Sequence, residues 1–261
     1  MKEFSFVKYQ GAGNDFIIVN HLEGAVLTDL SVENIARLCD RRFGIGGDGL
    51  MLLEPHPELD FEMKYYNSDG RPSTMCGNGG RCLVAYAFQL GVIAEKTIFH
   101  AVDGIHRAIV ERPDWIQLEM GKVDKIETVL NGCFLDTGSP HYLEWHDNLA
   151  NIDVDAQGRA LRNNETFSPG GTNVNFINGD VKGLTISTYE RGVEAETLAC
   201  GTGVTAAAIV AVQRNGKPGQ FTVPVLAKGG ALEVKVDYDG NVFLPWLCGP
   251  ATFVFEGEIG I

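Results

Sequence analysis

Met75-Cys76-Gly77-Asn78-Gly79-Gly80-Arg81-Cys82 opens a segment, Arg81 to Leu90, that is apolar almost all round and stops at Gly91. The pattern returns 124 residues on, from Cys76 to Cys200. There, Ala199-Cys200-Gly201-Thr202-Gly203-Val204 leads into the Ala-rich, equally apolar stretch Val204 to Asn215, closed by Gly216 with Pro218 beyond. A helix that is apolar on every side requires burial on every side. A strand-like run ending in an aromatic residue precedes each loop: Met63-Lys64-Tyr65-Tyr66 and Ile186-Ser187-Thr188-Tyr189. A second pair, 125 residues apart from Phe16 to His141, relates Gly11-Ala12-Gly13-Asn14-Asp15-Phe16 to Asp136-Thr137-Gly138-Ser139-Pro140-His141. These repeats predict a tandem duplication with a boundary near residue 118.

Outside the two apolar helices the chain alternates short β-type runs with turn signals. Phe4 to Tyr9, Phe16 to Val19, Gly49 to Leu53 and Phe61 to Tyr66 are rich in β-branched and aromatic residues and read as strands. Thr97 to Val102 and Ile105 to Glu111, joined by Asp103-Gly104, read as a hairpin. Leu232 to Val236, Asp239-Gly240 and Val242 to Leu244 repeat that signal. Ser31 to Arg41 reads as an amphipathic helix with a Ser cap. The expected class is α+β: two pseudo-symmetric domains, each a β-rich unit wrapped around a central helix.

With 261 residues the chain is long enough for one large domain or two modest ones at about 150 residues each. Apolar residues at 44% and charged residues at 21% are ordinary globular usage and argue against disorder. No apolar run approaches the ~18 residues of a membrane span. The start, Met1-Lys2-Glu3-Phe4-Ser5, carries no apolar secretory region, so the expected location is cytoplasmic. A net charge of −13, with no Lys/Arg block to offset it, makes nucleic acid and anionic membranes poor partners. Six cysteines with no C-x-x-C pair argue against a disulfide scaffold or a zinc ribbon, and no metal site is expected. Cys39, Cys82, Cys133 and Cys248 sit in apolar or turn contexts and read as structural thiols.

The repeated Cys-Gly-x-Gly has a chemical reading. At a helix start the backbone N–H groups and the macrodipole favour an anion, so a carboxylate can be held there. A thiol at the same place can have its pKa drawn below the free value of ~8.5. One thiol on either side of a bound carboxylic acid, in a cleft between the two domains, is the geometry for inverting a stereocentre α to the carboxylate. One thiolate removes the α-proton, the opposite thiol supplies a proton to the other face, and the fixed dipoles stabilise the carbanion.

These residues resemble a known family. The Cys76 motif is similar to the first active-site motif of diaminopimelate epimerases, and Glu190-Arg191-Gly192 with Glu196 to Gly203 resembles the second. Gly11 to Phe16, Gly44 to Gly49 and Tyr66 to Gly70 match as well, so the resemblance is collinear from about residue 8 onward. It implies cofactor-free conversion of LL-2,6-diaminopimelate, a small-molecule substrate, to the meso form in lysine and peptidoglycan-precursor biosynthesis. It also implies β-barrel-like domains, a homodimer, and a last strand, 250–261, that completes the first domain. The expected division is therefore 1–118 plus 250–261 against 119–249.

By the same resemblance Cys76 and Cys200 are the acid/base pair, Cys200 accepting and Cys76 donating in the LL-to-meso direction. His141 and Glu190 stand beside the thiols and could take and return a thiol proton. Gly77, Asn78, Gly201 and Thr202 offer N–H groups to the reacting carboxylate, and Asn14, Asn67, Asn173 and Arg191 hold the distal amino acid head group. Taken alone, Asn14 and Asn67 also read as turn formers, His141 as a turn histidine and Glu190 as a strand-end partner of Arg191. Ser139 stands where many relatives carry Asn. The rivals are a proline or hydroxyproline racemase, whose first motif typically has His after Cys-Gly; a phenazine-type isomerase, which lacks the paired cysteines; a thiol redox or metal protein; and a non-catalytic amino acid binding module.

Overall fold

The run Phe16-Ile17-Ile18-Val19 shows no polar alternation because its strand is buried on both faces. Ile17 and Val19 pack with Ile35 and Leu38 of an amphipathic helix on one side. Phe16 faces Gly79 of an apolar helix on the other. That layering, outer helix, sheet, inner helix, occurs twice. The computed structural model describes residues 3–260, and the chain divides into two compact units, Met1–Leu118 with Gly249–Ile261 and Glu119–Cys248.

The first unit contains β1 (Glu3–Gly11), β2 (Asn14–Asn20), α1 (Val32–Cys39), β3 (Gly49–Glu54), β4 (Glu62–Asn67), β5 (Pro72–Ser73), α2 (Gly77–Gln89), β6 (Lys96–Ala101), β7 (Gly104–Arg112) and β8 (Trp115–Glu119). The second contains β9 (Glu127–Val129), β10 (Gly132–Asp136), β11 (Pro140–Trp145), α3 (Val154–Arg162), β12 (Asn173–Asp180), β13 (Gly183–Glu190), β14 (Ala195–Thr197), α4 (Gly201–Asn215), β15 (Gly219–Ala227), β16 (Gly230–Tyr238) and β17 (Phe243–Pro250). The last strand, β18 (Thr252–Gly260), pairs antiparallel with β1 and so belongs to the first unit.

Neighbouring strands in the first unit run β18-β1-β2-β3-β4-β6-β7-β8, parallel at β2/β3 and β4/β6 and antiparallel elsewhere. The second unit runs β9-β10-β11-β12-β13-β15-β16-β17, parallel at β11/β12 and β13/β15. The two orders match strand for strand, with β5 on β4 and β14 on β13 as matching side pieces. α2 and α4 are the inner helices and are buried along nearly their whole length.

Several elements differ in extent from the sequence expectation. The inner helices begin at Gly77 and Gly201, three or four residues earlier than their apolar stretches suggest. Glycine disfavours a helix by about 1 kcal/mol, but both starts are tightly packed: a Cβ on Gly79 would meet the flexible Met51 Sδ at 3.1 Å, and one on Gly203 would meet Asn175 Oδ1 at 2.5 Å. The first hairpin turns at Val102-Asp103, one residue earlier than expected, with Ala101 opposite Gly104 and Gly104 at φ 128°. α1 is Val32–Cys39, capped by Ser31, whose side chain accepts from the Asn34 N–H. α3 has no counterpart in the sequence reading because it is largely polar; Asp153 caps it through the Ala156 N–H (2.9 Å), and its Val154 packs with Tyr142, Phe176 and Tyr189.

Candidate active site

Each Cys-Gly-x-Gly motif sits where a strand hands over to an inner helix. Cys76 is the N-cap of α2 (φ −99°, ψ 126°) and Cys200 the N-cap of α4 (φ −108°, ψ 111°). Neither cysteine side chain caps its helix, and the first-turn N–H groups of Gly77, Gly201 and Thr202 have no carbonyl four residues back within the helix. Both starts are tied by backbone bonds, Gly80 N–H to Cys76 O (2.7 Å) and Val204 N–H to Cys200 O (2.9 Å). Each thiol therefore stands at the positive end of a buried dipole.

In the first unit the loop is anchored through Asn78. Its Oδ1 accepts from Arg81 Nη2 (2.8 Å), Arg81 Nη1 donates to Gly77 O (3.1 Å), and its amide nitrogen donates to Asn14 Oδ1. Asn14, the first residue of β2, donates in turn to Asp48 Oδ2 (3.0 Å). Behind it Arg41 bridges Asp15 (2.6 and 2.9 Å) and Asp48 (2.8 Å), and Lys8 pairs with Asp15 at 2.9 Å. Burial alone would raise the Asp15 carboxyl, but the hydrogen bonds from Arg41 and Lys8 outweigh it and hold it at about 2. Asn67 closes β4 on the surface and its backbone N–H donates to Arg71 O (2.9 Å).

In the second unit the thiol is joined to a buried polar chain. Thr202 Oγ1 lies 3.4 Å from Cys200 Sγ and 2.8 Å from His141 Nε2. His141 Nδ1 lies 3.1 Å from the amide nitrogen of Asn175, which also donates to Tyr142 O (3.0 Å) while its Oδ1 accepts from Thr188 Oγ1 (3.0 Å). Thr137 Oγ1 donates to Thr202 O at 2.9 Å. His141 is fully buried as the second residue of β11, not in a turn, and burial pushes its pKa down to about 3, so its ring is neutral.

Asn173 and Arg191 form a separate group in this unit. The Asn173 amide nitrogen donates to Ser139 Oγ (2.8 Å) and Pro140 O (2.9 Å), and its Oδ1 accepts the Arg191 backbone N–H (2.9 Å). Asn173 is thus the first residue of β12, and it fixes both the Ser139 turn and the Arg191 turn. Glu190, half-buried, closes β13 beside Arg191. Sequence reasoning missed Asn175, Thr137 and Thr188. The signal for Asn175 lay in the repeat itself: β12 alternates Asn173, Asn175 with Val174, Phe176, and its counterpart in β3 at the Asn175 position is Met51. Among the other thiols, burial pushes Cys39 up to about 11 and Cys82 to about 12, and raises Cys133 as well.

Solved structures share this fold at low sequence identity. The chain superposes over 100% of its length on a phenazine biosynthesis protein of the PhzF family from Bacillus anthracis (TM-score 0.76, 15% identity, 100% of that chain). It superposes over 99% on a hydroxyproline epimerase from Agrobacterium vitis (TM-score 0.69, 14% identity, 92% of that chain). The diaminopimelate epimerase family model matches residues 6–126 and 133–254. A diaminopimelate epimerase from Flavobacterium psychrophilum is 48% identical over 97% of this chain and 98% of its own, and one from Chlorobaculum tepidum 41% over 95% and 98%. The chain belongs to the diaminopimelate epimerase family.

Proposed function

We propose that this protein interconverts LL-2,6-diaminopimelate and meso-2,6-diaminopimelate, supplying lysine and peptidoglycan precursors in the cytoplasm, with the Cys76 and Cys200 thiols as acid and base on opposite faces of one α-carbon. The observation that carries the reading is the recurrence of an N-cap cysteine on a buried helix at equivalent points of both units. In the LL-to-meso direction the Cys200 thiolate takes the α-proton and the Cys76 thiol delivers one to the other face; the reverse reaction exchanges the roles. The N–H groups of Gly77, Asn78, Gly201 and Thr202 hold the reacting carboxylate and stabilise charge as the carbanion develops. Two thiols supply both proton transfers and the backbone dipoles answer the developing charge, so the mechanism needs no cofactor and no metal.

Glu190 exchanges a proton with a thiol to regenerate the thiolate. Arg191, held by Asn173, meets the distal carboxylate, and Asn14 and Asn67 contribute to the distal head group. His141 acts through Thr202 rather than on a thiol directly, since its Nε2 lies against the Thr202 hydroxyl. A homodimer is supported by the apolar surface of β18, where Phe253, Val254 and Phe255 are exposed.

The test is incubation of reduced protein in D₂O with LL-diaminopimelate, L-proline or L-4-hydroxyproline, following α-proton loss by NMR. Exchange is expected with diaminopimelate alone, with meso product appearing. Cys76→Ser and Cys200→Ser are each expected to lose about 10²–10⁴-fold in turnover, the usual contribution of a positioned acid or base. Exchange of the proline compounds alone, or full activity in either variant, overturns the reading.

A further inference from the structure

The polar chain behind Cys200 has a direction, and that direction is fixed at its buried end. Tyr142 O can only accept, so the Asn175 atom 3.0 Å from it is the amide nitrogen, and Oδ1 is the atom that accepts from Thr188 Oγ1. The same nitrogen faces His141 Nδ1, which must then accept. A neutral imidazole with an accepting Nδ1 carries its proton on Nε2, and Nε2–H donates to Thr202 Oγ1 at 2.8 Å. With its oxygen engaged as acceptor, the Thr202 hydroxyl has its own proton to give, and Cys200 Sγ lies 3.4 Å away.

We propose that Asn175 and His141 are positioning residues that lock the imidazole in its Nε2–H tautomer and so aim the Thr202 hydroxyl proton at the Cys200 sulfur. A donor to sulfur favours the thiolate over the thiol, which suits the group that removes the α-proton. The lock also bars His141 from taking the thiol proton: its Nε2 already holds a hydrogen and its Nδ1 is occupied. On the proposed reaction this leaves Glu190 as the group that exchanges the Cys200 proton, its carboxylate becoming the carboxylic acid and returning the proton in the reverse step. This assignment takes its catalytic meaning from the proposed epimerase reaction, but its geometry lies wholly within the second unit and can be tested without turnover.

The experiment uses the full chain labelled with ¹⁵N-histidine and [¹³Cβ]-cysteine, observed by NMR across a pH series. The expected wild-type result is a neutral His141 protonated at Nε2. Thr202→Val removes the donor, and the Cys200 Cβ titration midpoint should rise by about one pH unit, equivalent to about tenfold less thiolate below the midpoint; Thr202→Ser should restore it. Asn175→Asp places an acceptor against Nδ1, moves the imidazole proton there, turns the Thr202 hydroxyl toward Nε2 and should raise the Cys200 midpoint similarly. A wild-type Nδ1–H tautomer, or a Cys200 midpoint unmoved in Thr202→Val, overturns the relay. These readings are independent of substrate: absent diaminopimelate exchange with the relay intact refutes the reaction, while an absent relay with exchange intact refutes only this assignment.

Discussion

The two units share a strand order and a Cys-Gly-x-Gly helix start, yet they support that start by different chemistry. Beneath Gly79 of α2 lie Phe16 and Met51; beneath the equivalent Gly203 of α4 lie His141 and Asn175. In the first unit the polar support is displaced to Asn78, which reaches Arg81 and Asn14 and, through Asn14, the Lys8-Asp15-Arg41-Asp48 cluster. In the second it lies directly under the helix start and ends on the thiol. Backbone dipoles come with the helix and can be duplicated whatever lies beneath them. The ionisation of each thiol depends on local donors, and there the copies have diverged.

That difference separates two substitutions that look alike in sequence. A Cβ at Gly79 meets the end of the Met51 thioether at 3.1 Å, a chain that can swing aside. A Cβ at Gly203 meets Asn175 Oδ1 at 2.5 Å and His141 Cε1 at 3.2 Å, groups held in place by the relay. Gly203→Ala should cost about 1–3 kcal/mol, the usual range for overpacking, and reduce turnover, whereas Gly79→Ala should cost less than about 1 kcal/mol. Urea unfolding and steady-state kinetics on both variants check this; equal costs would mean the two supports are equally yielding.

Acid should distinguish the units next. The Asp15 carboxyl ionises at about 2 in the folded chain, below an ordinary value of ~3.9, so its contribution is complete above that value and is lost as pH falls from it toward 2. It amounts to at most about 3 kcal/mol, at 1.36 kcal/mol for each pH unit. His141 ionises at about 3 against an ordinary ~6.5, so the unfolded chain binds a proton there first and stability falls as pH drops from about 6.5 toward 3. His141→Phe should flatten the upper part of that decline, and Asp15→Asn the part below about 4, in urea midpoints measured against pH. Flattening of the same interval by both would deny the two groups separate roles.

The sequence carried the architecture well because the duplication repeats its punctuation: the 124-residue spacing of the cysteines and the two all-apolar helices already required two β-rich units with buried axes. The cysteines and their glycines were legible because helix-start chemistry leaves a local signature, whereas Asn14, Asn67, Asn173 and Arg191 were named only through the family resemblance. His141 was harder to place, since a polar residue in a covered strand looks locally like a turn residue until its strand partners are known. Asn175 was overlooked although the repeat sets it against Met51: its partners Tyr142, His141 and Thr188 come from two other strands, β11 and β13, whose pairing lies outside any local pattern. α3 was missed because its outward residues are charged and only a few positions, Val154 among them, face the sheet.

The smallest expected effect on turnover is also the sharpest use of the comparison. Replacing His141 and Asn175 together by Phe and Met gives the second unit the pair that the first already packs beneath its own helix start. Removing both partners avoids the orphaned amide that His141→Phe alone would leave, while the Thr188 hydroxyl and Tyr142 O lose their Asn175 partner, so the fold should survive at a cost of about 1–3 kcal/mol. The Thr202 hydroxyl would remain beside Cys200 but without a fixed direction. Turnover should therefore fall by about tenfold, or 1.36 kcal/mol in activation free energy, well short of the loss on Cys200→Ser. The pH profile of kcat/KM should move its ascending limb upward, as a less readily ionised Cys200 requires. A double variant as active as the parent, with an unchanged profile, would show that the second unit keeps its buried imidazole for packing alone. A loss as deep as that of Cys200→Ser would instead return His141 to the proton transfer itself.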